Sequence, residues 1–406
     1  MKTYDNAISL TSQIFFCSTP FRLDSYNRCQ FGCIYCFSSR RSVENSKGGL
    51  RTANIGALSA RFDRVRSGVI NSAIDEFINK RIPIQFGGIN DPFSAVESRK
   101  GTSFRALAVL RDNSYPTLIS TKSAIPFQDD YLSVLAEMNV SLRVSAAGVN
   151  EKSRSLIDRD CPNFFEMLGN IERASKRGIA TTLRIQPIIP SQEAEVLRMI
   201  EAAADAGVRH VSLEYLKIPL EIRADLIRKL SSALNLDMHA MLEKIGLFRV
   251  GPDMTLMTEY KLNHMRAFRE LLHSLGMSFG AGDTELIHLS DGPGCCNGSG
   301  LLLQDANVLD SNFTGILKRG SGKITFSSVM SKWTPSKLVN PYLVVGSRKK
   351  AEIEGLSDWQ ALMAYRWNRS RSIYSPALFA GVSSTGSFDA DGLEVYRYDH
   401  PWKDIS

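Results

Sequence analysis

The chain has 406 residues, of which 43% are hydrophobic and 22% charged, as in a soluble globular protein long enough for one large barrel with an appended unit. No run of 18 apolar residues and no charged-then-apolar leader occurs, so we expect neither a membrane span nor a secretory signal. The net charge of +7 permits an anionic partner such as a nucleic acid, but an ordinary solvated basic surface explains it equally well.

The first part of the chain predicts a leader, a strand, a loop and a helix in that order. The leader covers residues 1 to about 13, and four apolar residues predict the first strand: Phe15, Phe16, Phe21 and Leu23. Residues 38–60, rich in Ser, Arg and Gly, predict an exposed loop. Apolar residues at helical spacing predict a helix over 65–80.

Strands and helices then alternate. The predicted strands are 83–88, 116–121, 140–145, 181–189 and 210–216, and the predicted helices are 104–110, 131–138, 164–177 and 193–206. This alternation predicts right-handed βαβ units and a parallel sheet of the α/β class. Such a sheet carries its functional loops at the carboxyl ends of its strands.

After residue 216 the pattern changes. Residues 220–234, 238–245 and 259–275 predict helices, 277–283 predicts a seventh strand, and one more helix is predicted over 359–365. We therefore expect a barrel domain over residues 14–250. The remainder, 251–406, is predicted to be an α+β extension that completes or covers the barrel mouth.

Three of the seven cysteines, Cys29, Cys33 and Cys36, lie within eight residues in the spacing C-x3-C-x2-C. Three thiolates this close can converge on one metal centre from a single loop. Zinc would need a fourth ligand, and residues 22–40 contain no other Cys or His. A disulfide would leave one thiol over, whereas a [4Fe–4S] cluster accepts three thiolates and keeps one iron open.

Three strand ends that follow carry residues suited to a small charged ligand. These residues are Gly87, Gly88, Asn90, Asp91, Lys122 and Ser145. The glycine pair lets the backbone come close to a ligand, and the acidic residue can face an ammonium group. The lysine can meet a carboxylate as a point charge, and the serine is small enough to admit a ribose hydroxyl.

In this order the motifs resemble the spore photoproduct lyase-like branch of the radical S-adenosylmethionine (radical SAM) superfamily. The matching segments after the cysteines are Asn90-Asp91-Pro92, Ser120-Thr121-Lys122, Val144-Ser145 and Pro187-Ile188-Ile189-Pro190. The resemblance covers roughly residues 20–216. It implies a partial (β/α)6 TIM-type barrel with a C-terminal α+β extension.

The resemblance also implies the cofactors and their contacts. The three cysteines would hold a [4Fe–4S] cluster, and SAM would bind its open iron and be cleaved reductively to a 5′-deoxyadenosyl radical. By position, the SAM contacts would be Tyr35, Asn90, Asp91, Lys122 and Ser145, beside the Gly87-Gly88 turn. An external electron donor of the flavodoxin or ferredoxin type would act in a reducing cytoplasm, which the cysteine usage also favours.

One departure from the branch bears on the substrate. Spore photoproduct lyase itself places a hydrogen-donor cysteine just before this turn, where the present chain has Gly88. The resemblance therefore implies a relative with another substrate. A nucleic acid or nucleotide is favoured, and a peptide or small metabolite is the alternative. A further alternative, from a different functional class, is a non-catalytic zinc protein that binds nucleic acid.

Two further sites are predicted from the residues alone. Arg184 and Gln186 alternate with apolar neighbours, so both point into the barrel, where Arg184 needs SAM, the substrate or an ion pair with Glu214. After the seventh strand, Cys295 and Cys296 lie in a Gly-rich loop with Asp283 and His288 nearby. They could donate hydrogen, form a redox pair or bind a ligand, or be two small packed residues.

The segment from Arg366 to Tyr374 mixes three arginines with aromatic residues. This mixture suits stacking on bases and neutralising phosphates, although an ordinary solvated helix end is the better interpretation.

Overall fold

The structure, a computed structural model, describes residues 3–36, 49–368 and 374–402. Residues 38–48 of the loop predicted over 38–60, and residues 369–373 of the arginine-rich segment, therefore lie outside the described residues. No helix within the described ranges is long and apolar enough to cross a membrane.

Short strands recur along the whole chain. In chain order they are β1 (Thr3–Tyr4), β2 (Ile8–Leu10), β3 (Phe21–Leu23), β4 (Thr52–Ala53), β5 (Ile84–Phe86), β6 (Thr117–Thr121), β7 (Val140–Gly148), β8 (Ala180–Ile188), β9 (His210–Tyr215), β10 (Ile218–Pro219), β11 (Leu247–Val250), β12 (Asp253–Leu256), β13 (Ser278–Ala281), β14 (Gly322–Ile324), β15 (Val382–Phe388) and β16 (Glu394–Tyr398).

Helices connect these strands. They are α1 (Ile55–Arg66), α2 (Ala73–Asn79), α3 (Glu97–Lys100), α4 (Thr102–Asp112), α5 (Asp129–Ala136), α6 (Glu151–Ile157), α7 (Phe164–Lys176), α8 (Glu193–Asp205), α9 (Arg223–Leu234), α10 (Met238–Ile245), α11 (Thr258–Ser274), α12 (Ser299–Leu302), α13 (Phe313–Arg319), α14 (Ser327–Met330) and α15 (Asp358–Trp367).

The central sheet has eight strands in the order β13-β9-β8-β7-β6-β5-β3-β2. Every neighbouring pair is parallel except β2 with β3. The predicted α/β class with a mostly parallel sheet is confirmed. The described part of the sheet has seven parallel strands, because β13 pairs with β9 although it begins after residue 250.

Three predicted elements near the N-terminus are wrong in detail. Of the first predicted strand, only Phe21–Leu23 is a strand, and Ser12–Phe15 forms a 3-10 turn instead. The helix predicted over 65–80 is two helices, because Gly68 adopts a positive φ of 86° after α1 and the Ser72 side chain caps α2. The predicted loop 38–60 likewise ends early, because Asn54 caps α1.

Helix α7 illustrates how local sequence sets an element. Asn163 and Glu166 form a capping box at its start, and Gly178, at a φ of 78°, follows its end. Its buried face, which includes Met167 and Ile171, belongs to the central core. Burying each such side chain contributes about 1.5–3 kcal/mol.

The two faces of the sheet differ in polarity. On β7, β8 and β9 the apolar residues pack in the core, whereas the alternating positions are polar: Ser141, Arg143, Ser145, Thr182, Arg184, Gln186, His210, Ser212 and Glu214. Strands of a parallel sheet are normally apolar on both sides. The polar face, where residues such as Arg143, Ser145 and Arg184 line a cavity, is therefore built to hold polar groups.

Segments from both ends of the chain meet beside this polar face. Asn297, after β13, donates from Nδ2 to the hydroxyl of Thr19, after β2, at 2.6 Å. Asn312 donates to the carbonyl of Cys17 at 3.0 Å. The edges of the sheet are thus linked by side chains, which fixes the loop that carries Cys295 and Cys296.

Candidate functional site

One cavity of about 350 Å³ lies at the carboxyl ends of the parallel strands. Every predicted site residue lines it: Cys29, Cys33, Tyr35, Cys36, Gly87, Gly88, Asn90, Asp91, Lys122, Ser145, Arg184, Cys295 and Cys296. Residues more than 250 positions apart in sequence therefore share one chamber. Their individual roles stay predictions.

The cysteine loop is held by the chain that follows α6. Ile34 donates its backbone N–H to Ile157 at 3.0 Å, and Gly32 donates to Arg159 at 3.4 Å. A Cβ on Gly32 would lie 3.1 Å from Cβ of Arg159, so the loop can dock this closely because that position is glycine. The same segment brings the thiol of Cys161, which sequence analysis did not place in the site, into hydrogen-bond contact with Cys33.

Two thiols of the loop, those of Cys29 and Cys33, have raised pKa values. Burial, assisted by the nearby Asp91 carboxylate, raises the pKa of Cys29 to about 12. The hydrogen bond with Cys161, followed by burial, raises the pKa of Cys33. Within the described ranges no three Cys, His, Asp or Glu side chains are already arranged around a metal position. Metal binding would therefore release protons and draw the thiolates together.

The glycine pair and Asp91 shape one wall of the cavity. Gly87 has a φ of 89°. A Cβ there would lie 2.7 Å from the carbonyl oxygen of Ser120, so only glycine fits this turn. Asp91 accepts the Thr121 hydroxyl at 2.9 Å and the Lys122 N–H at 2.6 Å. Both carboxylate oxygens thus tie the end of β5 to the end of β6, and burial raises the pKa of Asp91.

Tyr35, Lys122 and Asp158 form a second charged group, which we call the rim cluster. Lys122 Nζ lies 3.0 Å from Oδ2 of Asp158, and the Tyr35 hydroxyl donates to Oδ1. Burial opposes the charge on Lys122, but Asp158, together with the thiols of Cys33 and Cys161, outweighs burial and the pKa of Lys122 is raised. Sequence analysis missed Asp158, although a buried lysine requires a carboxylate. The carboxylate follows α6, a helix that was not predicted.

Arg143, Arg184, Glu214 and Lys217 form what we call the deep cluster. Glu214 accepts from Arg184 through Oε2 and from Lys217 through Oε1, the latter at 2.6 Å. The predicted ion-pair alternative for Arg184 is thus present, and Lys217 is a partner that sequence analysis missed. Arg143 donates from Nε and Nη2 to the Ser120 hydroxyl at 3.1 and 2.7 Å.

The loop after β13 carries Cys295 and Cys296 to the cavity. His210 donates from Nε2 to the carbonyl of Cys296 at 2.9 Å, and a Cβ on Gly280 would collide with that same carbonyl. Gly298, at a φ of 67°, packs over the His210 ring. Glycine on β13 and a buried histidine on β9 therefore set the position of the two thiols.

A third thiol, that of Cys17, completes this group. Its sulfur lies 4.0 Å from that of Cys295. The hydrogen bond from Cys295 lowers the pKa of Cys17, and that same contact raises the pKa of Cys295 to about 11. The hydrogen bond with Cys295, and then burial, raise the pKa of Cys296. Sequence analysis left Cys17 out of the site, because nothing local links positions 17 and 295.

Asp283 and His288, expected near the two cysteines, have other partners. Asp283 accepts from the buried Lys261 at 3.1 Å, and His288 lies 3.0 Å from the carbonyl of Ala380. The C-terminal basic segment also differs from expectation where it is described. Trp367 is fully buried and Arg366 stacks over the Phe15 ring at 4.0 Å, so neither belongs to a solvated helix end.

No family model matches the sequence, and no curated protein matches it. Among solved structures, the chain is similar to spore photoproduct lyase complexed with dinucleoside spore photoproduct, at 15% identity and a TM-score of 0.48, over 64% of this chain and 76% of that one. It is also similar to Streptococcus suis SuiB bound to the precursor peptide SuiA, at 10% identity and a TM-score of 0.37, over 56% of this chain and 47% of that one.

Proposed function

We propose that this chain is a radical SAM enzyme built on a partial (β/α)6 TIM-type barrel. Cys29, Cys33 and Cys36 would hold a [4Fe–4S] cluster that leaves one iron for SAM. The observation that carries the proposal is the shared cavity: the three thiols line it together with every other residue that the motifs nominate. Soft thiolates on one loop suit an iron–sulfur cluster, so the donor set fits the group.

The chain's own residues would hold and shield the cofactors. The Gly87-Gly88 turn can admit the SAM amino group beside Asn90, while Lys122 and Ser145 line the same cavity. When bound, the cluster and SAM supply a 5′-deoxyadenosyl radical that abstracts hydrogen from a substrate. The protein's contribution is to position these groups and exclude water.

For the substrate we favour a nucleic acid or nucleotide, supported by the branch resemblance and the net charge of +7. A peptide or small metabolite is the alternative. The partner that this chemistry needs is an external electron donor of the flavodoxin or ferredoxin type. We place the protein in the cytoplasm, where seven free thiols stay reduced.

The test is anaerobic reconstitution with iron and sulfide, followed by reduction in the presence of SAM. We expect a brown protein that releases 5′-deoxyadenosine, and Cys29→Ala, Cys33→Ala and Cys36→Ala should each abolish the release. Cys161→Ser is the matched control, because this thiol touches Cys33 but does not line the cavity. An alanine variant that still cleaves SAM would overturn the proposal.

One observation favours a second candidate, a non-catalytic zinc protein that binds nucleic acid. The contact between Cys161 and Cys33 offers the fourth thiolate that the sequence motif lacks. If this candidate is right, the purified protein is colourless, contains stoichiometric zinc, and loses the zinc equally in Cys161→Ser and Cys29→Ala. The radical SAM proposal predicts that Cys161→Ser keeps its iron.

A further inference from the structure

The polar face of the sheet contains a buried cation that no carboxylate of the described residues neutralises. Arg143 is 3% exposed. Among the residues that the structure describes, its guanidinium contacts the Ser120 hydroxyl and forms no ion pair. Burial and the neighbouring Arg184 guanidinium lower the pKa of Arg143 to about 10. A buried guanidinium without an anion is costly, so a bound anion would relieve an unfavourable arrangement.

Arg184 has spare binding capacity at the same place. One terminal nitrogen contacts Glu214, but its Nε is buried and has no hydrogen-bond partner in the described structure. Glu214 is shared with Lys217, which also faces the Asp283 carboxylate, so Arg143 is the cation of the deep cluster that has no carboxylate partner among the described residues. Arg143, Arg184 and Lys217 all line the cavity, where an anion could reach them.

The sheet register separates Arg143 from Lys122, the lysine nominated for SAM. Ser120 lies opposite Arg143, so Lys122 and Ser145 are each two residues closer to the carboxyl ends of their strands. Arg184 lies opposite Ser145 on the far side of β7 from Lys122. Arg143 is therefore one layer deeper in the cavity than Lys122, whose charge Asp158 already balances.

We propose that Arg143 and Arg184 form a binding site for an oxyanion, a phosphate or carboxylate group, carried by the substrate. The planar fork of each guanidinium matches two oxygens of such a group. This proposal extends the proposed radical SAM function. The assignment of the anion to the substrate rests on that function. It limits the substrate class to molecules with an anionic group near the reacting carbon. That carbon would lie in reach of Cys296, which lines the same cavity.

The first experiment uses the full chain without reductant or SAM, titrated calorimetrically with inorganic phosphate at constant ionic strength, and separately with acetate. Removing one arginine deletes a charge-assisted pair, so Arg143→Gln and Arg184→Gln should weaken phosphate binding about tenfold or more. Arg143→Lys, which keeps charge but loses the fork, should fall between. Arg198→Gln is the control, because Arg198 is exposed and lies outside the cavity.

Folding of each variant is checked by circular dichroism, and Arg143→Lys keeps the test valid if the glutamine variant is unfolded. Phosphate binding that is equal in the wild type, Arg143→Lys and Arg184→Gln overturns the proposal. Absence of both phosphate and acetate binding by the wild type also overturns it. A stronger response to acetate than to phosphate supports the carboxylate form of the same site.

A second experiment identifies the source of the anion. SAM also has a carboxylate, so SAM binding to the reconstituted protein is measured with and without saturating phosphate. We expect the two to bind together, with the SAM dissociation constant changed by less than twofold. Direct competition would assign the site to the SAM carboxylate and overturn the substrate assignment. A protein that binds phosphate but never SAM refutes the proposed function and leaves the anion site standing.

Discussion

The rim cluster and the deep cluster line the same cavity but differ in charge balance. In the rim cluster, Lys122 and Asp158 neutralise each other and Tyr35 adds a hydrogen bond. In the deep cluster, Arg143 has no carboxylate and Glu214 serves two cations, as the described residues show. A balanced cluster contributes to stability without a ligand. An unbalanced cluster lowers stability until an anion arrives, which marks it as a binding site.

The largest expected effect comes from breaking the balanced cluster. Asp158→Ala leaves Lys122 as a buried cation without an anion, and should lower the free energy of unfolding by about 3–5 kcal/mol. Urea denaturation measures this loss. Asp63→Ala, which removes an exposed partner of Arg66, is the control and should change stability by less than about 1 kcal/mol. Equal losses of stability in the two variants would contradict the claim that the rim cluster stabilises the fold without a ligand.

The second effect is acid sensitivity at His210, the buried histidine that holds the carbonyl of Cys296. Burial lowers the pKa of His210 from 6.5 to about 4. The unfolded chain therefore binds a proton that the folded chain does not between these values, and stability is lost as pH falls from about 6.5 to 4. At 1.36 kcal/mol per pKa unit, His210 accounts for about 3 kcal/mol of this loss.

Denaturation of the wild type and of His210→Gln across that pH range tests this expectation. The variant should show a shallower decline of stability with acid. In the wild type, the ring resonances of His210 should show no protonation above about pH 5, since its pKa lies near 4. Titration of the ring near pH 6.5 would show that the His210 ring is open to water.

The third effect separates the two clusters by their response to an anion. Glu214→Gln removes the carboxylate of the deep cluster, so stability should fall by about 2 kcal/mol or more, because Arg184 and Lys217 lose their partner. Inorganic phosphate should then raise the melting temperature of this variant more than that of the wild type. It should not rescue Asp158→Ala. Equal rescue of both variants would mean that phosphate acts non-specifically.

The sequence predicts the framework of the site well, because each signal is local. Two features can be recognised without knowing any tertiary contact: the spacing of Cys29, Cys33 and Cys36, and the glycine turn before Asp91. The structure brings both into one cavity. Alternation on β8 also predicts that Arg184 faces inward. Periodicity similarly predicts α10 over Met238–Ile245.

What the sequence does not predict depends on pairing between distant strands. Asp158 meets Lys122 through a helix too short to leave a clear pattern, and Cys17 meets Cys295 across 278 positions. Arg143 is a further example. The register of β7 with β6 and β8 decides which residues flank Arg143, and none of these described neighbours is a carboxylate. The charge balance of a site is therefore the part that sequence patterns determine least.

The smallest expected effect is a change in stability that has opposite signs at two equally buried arginines. Arg143 and Arg154 are each 3% exposed, but Arg154 pairs with Glu151 through two nitrogens, at 3.1 and 2.7 Å. Arg154→Met breaks that pair and should lose about 1–2 kcal/mol of stability. Arg143→Met removes an unbalanced buried cation and should gain about 1 kcal/mol, measured by urea denaturation in chloride buffer. The gain should shrink in phosphate, which stabilises the protein that keeps Arg143 more than it stabilises Arg143→Met. A loss of stability in Arg143→Met without phosphate would show that the hydrogen bonds to Ser120 outweigh the uncompensated charge.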